Sequence, residues 1–154
     1  VDDDNNVVYA AGNIHQVCYP RSALKLLQVL PLIESGACEA FGFTNEEIAI
    51  MCGSHNGEER HLYVVHSILN KIGETEQHLH CGPQLPTLND DKNKMIKADR
   101  PAENIHNNCS GKHAGFLALC RFMGVDVLDY EKPEHPIQKL IKTMPCCIIL
   151  NKGE

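Results

Sequence analysis

The chain predicts an α/β fold, with an N-terminal β-hairpin followed by a mainly helical remainder. Three observations carry this. Two β-like runs, VVYAA (7–11) and IHQVCY (14–19), flank Gly12-Asn13, a hairpin-turn dipeptide. Several later segments repeat apolar residues at helical spacing and end at glycines. The 154 residues suit one domain with its own core. With an apolar fraction of 43% and no tryptophan, that core is mostly aliphatic.

The elements follow in order. Pro20 ends the second β-like run. Residues 22–35 read as a helix, with Leu24, Leu27, Leu30 and Ile33 on one face and Gly36 as the stop. Pro31 lies inside that pattern and should kink or shorten it. Thr44 and Glu47 form a capping box that opens TNEEIAIMC. GSHNGE (53–58) is a turn, and residues 59–72 form an amphipathic helix closed by Gly73. Residues 81–104 hold three prolines and many polar side chains, including the mixed-charge run DDKNKMIK, and read as a long surface loop. NNCSGKHAGFLALCRFMGV (107–125) is a polar start running into an apolar helix that stops at Gly124, and a last helix covers 136–144.

Composition excludes some functions. A net charge of −6 offers no basic footprint for nucleic acid. No apolar run reaches the ~20 residues that span a bilayer. The opening VDDDNN does not read as a signal peptide. The chain has 8 cysteines but no CxxC pair. Several sit in helix-like apolar patterns, so they read as small buried residues in a reducing compartment, and the expected location is cytoplasmic.

Three polar turns lie at predicted helix starts, where free N–H groups and the helix dipole favour anions and activate nucleophiles. In PRSALK, Ser22 and Lys25 are three apart. That is the S-x-x-K arrangement of serine β-lactamases and penicillin-binding proteins, in which a lysine takes the hydroxyl proton. The bland alternative is Ser22 as a helix cap and Lys25 as a solvated side chain. In GSHNGE, Ser54 is either a second reactive hydroxyl or part of a capping turn. In NNCSGKHAG, Cys109, Ser110, Lys112 and His113 form the densest polar cluster, and Gly111 and Gly115 permit close approach. Cys109 is a nucleophile, a thiolate ligand for zinc with a third ligand from elsewhere, or neither, with Ser110 serving as a cap.

PRSALK, LQVLPLIESGA, SHNGEERH, CGPQLP, NNCSGKHAGFLA and EHPIQ, in this order, resemble the Rhizobium-type L-asparaginases of the asparaginase II family. The motifs fall within residues 7–140 and match an N-terminal portion. The resemblance implies a serine β-lactamase/glutaminase-like scaffold, here as one incomplete, truncated domain over residues 1–154. It implies hydrolysis of L-asparagine to L-aspartate and ammonia, with Ser22, Lys25 and Ser54 as catalytic residues. It assigns Arg21 and His113 to substrate binding and Cys109 and Lys112 to zinc, and it suggests a homodimer. Family members are longer, and the resemblance places a second lysine and a second cysteine ligand beyond residue 154. Two alternatives stand beside this reading: an inactive truncated paralogue acting as a binding module, and a β-lactamase-like serine acylase.

Overall fold

The computed structural model describes residues 1–150 apart from Asn5 and Cys18, with side chains described up to Thr143. A 3-10 turn, Arg21–Leu24, leads into α1 (Lys25–Glu34). Six further helices follow: α2 (Ala37–Ala40), α3 (Asn45–Cys52), α4 (Glu59–Ile72), α5 (Asn89–Lys97), α6 (Ser110–Met123) and α7 (Pro136–Leu150).

The expected α/β, β-lactamase-like scaffold is overturned, because the described residues contain helices and turns but no strand. Gly12-Asn13 does turn, with the Asn13 side chain and carbonyl accepting from His15 and Gln16 N–H. The flanking runs do not pair. Val8, Tyr9, Val17 and Tyr19 stand in solvent, Val17 at 96% exposure. A two-stranded hairpin is marginal in water unless a third strand or a helix covers one face, and none of the described elements does so. Cys18 of that expected hairpin lies outside the described residues.

The helices are set by local chemistry. At the start of α3, Glu47 N–H donates to Thr44 Oγ1 (3.3 Å) and Thr44 N–H to Glu47 Oε2 (2.7 Å), the predicted capping box. The same buried Glu47 carboxylate accepts from Ser67 Oγ and Lys71 Nζ, each at 2.7 Å, and so fastens α3 to α4. Pro31 neither breaks nor ends α1 at once, and the helix runs on to Glu34. Helices α4 and α6 stop at Gly73 and Gly124 as predicted. The predicted loop over 81–104 contains α5, which carries Asp90 and Asp91 in its first turn and Lys94 and Lys97 in its last. That arrangement complements the helix dipole, and buried Met95 anchors the helix.

Helix α6 is the centre of the fold. Every residue from Ser110 to Cys120 except Lys112 is buried, as befits a helix covered on all sides. It packs against α1, α3 and α4, while α7 lies along α1. Leu117, Leu119, Val65, Ile68, Met51 and Leu32 belong to one aliphatic core. The close approach of α6 to α3 depends on Gly111, where a Cβ would stand 2.5 Å from the Ile50 carbonyl oxygen. Among the described residues no helix is long and apolar enough to cross a membrane.

Candidate functional site

The three polar turns are far apart in sequence, yet the helix packing brings them to one place. Lys25 opens α1 and points inward, 3% exposed. Its Nζ donates to the Gly53 carbonyl (3.0 Å), Ser54 Oγ (2.8 Å) and the Asn108 carbonyl (3.3 Å). An ammonium has three donors, and here each has an acceptor. Ser54 Oγ in turn donates to Ser22 Oγ at 3.1 Å. The result is a chain, Lys25–Ser54–Ser22, that starts in the interior and ends at two exposed serines.

The S-x-x-K spacing thus gives a different pairing from the one expected. Ser22 lies in the 3-10 turn and reaches Lys25 through Ser54. Sequence reasoning missed the two backbone carbonyls that hold the amine, because carbonyls leave no residue-type signal.

The Ser54 turn is stapled to the start of α6. His55 N–H donates to the Asn108 carbonyl at 3.2 Å. His55 Nε2 lies 2.9 Å from Ser110 Oγ, and Ser110 donates its own proton to the Ile105 carbonyl. Ser110 is therefore the acceptor and His55 Nε2 carries the proton. His55 Nδ1 accepts from Gly57 N–H at 3.1 Å. Burial, reinforced by His61 and Lys25, lowers the His55 pKa to about 4. His55 is therefore a neutral structural imidazole. A cleft of about 470 Å³ opens beside this turn, lined by Ile50, Ser54, Asn56, Arg60, His61 and Val64 among others.

The Cys109 turn is built by Asn107. Its Oδ1 accepts from Cys109 N–H (2.8 Å), and its Nδ2 donates to the carbonyls of Cys81 (2.8 Å) and Gly82 (3.0 Å). This stitches CGPQLP to NNCSGK. The Cys109 thiol donates to Asn108 Oδ1 at 3.1 Å, and the Cys81 thiol to the Asn104 carbonyl at 3.2 Å. Burial raises the Cys81 pKa to about 11. Burial lowers that of Lys112, whose Nζ lies 5.2 Å from the Phe116 ring centroid. His113 is buried, with Nδ1 2.7 Å from the Tyr130 hydroxyl, and burial followed by the Lys112 and Lys25 charges lowers its pKa to about 3. Arg21 is exposed at φ 48° and makes no side-chain hydrogen bond or ion pair with another described residue.

Zinc fits this set only in part. Among the described residues no three His, Cys, Asp or Glu side chains converge to hold a metal ion. Cys109 and Lys112 fall short of the three or four protein ligands of zinc sites.

The search of curated proteins finds no similar sequence. A family profile described as L-asparaginase II matches residues 1–149, further in both directions than the motifs at 7–140. With nearly the whole chain matched, the protein belongs to the L-asparaginase II family.

Proposed function

We propose that this chain hydrolyses the side-chain amide of L-asparagine to L-aspartate and ammonia, with Ser22, Ser54 and Lys25 as the reacting groups. One observation supports this above all: the Lys25–Ser54–Ser22 chain, with contacts of 2.8 and 3.1 Å, ending at exposed hydroxyls. A serine hydroxyl attacks an amide only when a base takes its proton. A neutral Lys25 amine keeps two N–H groups for the Gly53 and Asn108 carbonyls and turns its lone pair to Ser54. Ser54 then either attacks or relays the proton from Ser22.

The alkoxide adds to the amide carbon. Backbone N–H groups at a helix start stabilise the oxyanion, worth roughly 3–4 kcal/mol per donor. The C–N bond breaks, the proton held on Lys25 returns to the leaving nitrogen, and ammonia departs. Water then attacks the acyl-enzyme, releasing aspartate and restoring the hydroxyl. Arg21 is assigned to the substrate carboxylate, which a guanidinium binds in a bidentate manner. His113 is assigned to a polar group of the substrate.

The test is ammonia release from L-asparagine by the chain and by its Ser22→Ala and Ser54→Ala variants. Release that both variants abolish supports the relay. Loss with Ser54→Ala alone makes Ser54 the nucleophile and removes Ser22 from the chemistry. Undiminished release by both refutes the mechanism. Asparagine binding without turnover favours the binding-module alternative.

A further inference from the structure

Tyr130 lies in the segment between α6 and α7, outside every motif singled out in the sequence. It is fully buried, yet its hydroxyl has two partners. One is His80 N–H, at 2.9 Å. A backbone N–H is an obligate donor, so the tyrosine oxygen is the acceptor there. The other is His113 Nδ1, at 2.7 Å. The phenolic proton of a buried tyrosine needs an acceptor, and among the described residues only His113 Nδ1 supplies one. Nδ1 is therefore unprotonated and the ring proton sits on Nε2.

The surroundings fix this geometry. Gln138 Nε2 donates to the Tyr130 carbonyl at 2.9 Å and ties the segment to α7. The His80 ring stacks on Tyr130 with centroids 5.2 Å apart, and His80 Nδ1 lies 2.9 Å from Glu131 Oε2. Phe116 and Tyr130 flank the His113 ring with centroids at 5.8 and 5.5 Å. His113 Nε2 has no hydrogen-bond partner among the described residues, yet it is not sealed from solvent. It therefore faces accessible space, beside Lys112 on the first turn of α6.

We infer that Tyr130 is a positioning residue that holds His113 as the Nε2–H tautomer, so that His113 offers a substrate oxygen a fixed hydrogen-bond donor. An amide carbonyl or a carboxylate is the matching acceptor. The donor role rests on the proposed amidohydrolase reading; the tautomer does not, and the experiment separates the two.

The measurement is long-range ¹H–¹⁵N correlation NMR of the histidine rings. The substrate-free spectrum of the unaltered chain is expected to show His113 as the Nε2–H tautomer; an Nδ1–H pattern overturns the inference without any variant. Adding L-asparagine is expected to shift the His113 Nε2 resonance. If the amides around residues 22 and 54 move while His113 Nε2 does not, the donor role is wrong. If nothing moves, the asparagine reading fails and the donor role with it, while the tautomer is judged on the substrate-free spectrum alone. In Tyr130→Phe the tautomer preference is expected to collapse toward a mixture. Asparagine affinity should fall about tenfold, the size of one hydrogen bond. A purely structural tyrosine would leave the tautomer unchanged.

Discussion

Gly111→Ala tests the packing that assembles the site. The added Cβ would lie 2.5 Å from the Ile50 carbonyl oxygen and 3.0 Å from its carbon, where ordinary contact begins at 3.4 Å. Both neighbours are backbone, so no side chain can swing away. The α6 N-terminus must move off α3 by most of an ångström, roughly the overpacking that costs 1–3 kcal/mol. Alanine returns about 0.5–1 kcal/mol of helix propensity. The net expected loss is about 1–2 kcal/mol, read as a fall in the urea midpoint of about 0.5–1 M for a slope near 2 kcal/mol/M. Gly115→Ala is the control on the same helix. Its Cβ would meet the Met51 sulfur at 3.1 Å, and methionine is flexible enough to yield. That variant should stay within about 1 kcal/mol of the parent. Equal losses for the two variants, or no loss for Gly111→Ala, would refute the reasoning.

Lys25→Met keeps the aliphatic stem but strips the amine from three acceptors. Ammonia release should fall by about 10²–10⁴-fold, the usual contribution of proton transfer, and urea unfolding should show a loss of about 1–3 kcal/mol for the carbonyls left short of a donor. Unchanged turnover in a folded variant would remove Lys25 from the mechanism. His55 predicts acid sensitivity. The unfolded chain takes up its proton below pH 6.5, while the folded imidazole resists until about 4. Its contribution is complete above pH 6.5 and is lost as pH falls toward 4, about 3 kcal/mol in all. His55→Gln, which keeps a donor for Ser110, should flatten that part of the stability–pH curve, and an unchanged slope would count against a buried neutral His55.

The fold was legible where local chemistry decides. Thr44 and Glu47 announce α3 because a capping box is complete within four residues, and Gly73 and Gly124 announce helix ends for the same reason. Residues 7–19 misled because two β-like runs around a turn dipeptide state only that a hairpin is possible; pairing needs a covering partner, and the described residues supply none. Helix α5 was hidden by its charge: DDKNKMIK looks like loop, although acids at the start and lysines at the end are what a short exposed helix wants. In the site, residue types were readable and partners were not. Ser22, Lys25 and Ser54 stand out in sequence, but the contact between positions 25 and 54 arises only when α1 and α3 pack together. Tyr130 gave no signal at all, since a lone tyrosine between helices looks like any core aromatic.

The three contacts of Lys25 also bear on how the site would work. Two of them, to the Gly53 and Asn108 carbonyls, accept from the amine whether it is charged or neutral. Only the third, to Ser54, changes direction with protonation. In the charged state the amine donates to Ser54 and Ser54 donates to Ser22; in the neutral state both bonds reverse. Moving a proton from Ser22 to Lys25 is therefore two hops along bonds already aimed at the neutral amine, with no hydroxyl rotation and no displacement of heavy atoms, because the carbonyls keep the nitrogen in place throughout. Such fixed donors and acceptors are what lower a barrier without reorganisation. The same two carbonyls come from the α3–α4 turn and the start of α6, so the contacts that lock α1 into the fold are those that would aim its lysine at the serines.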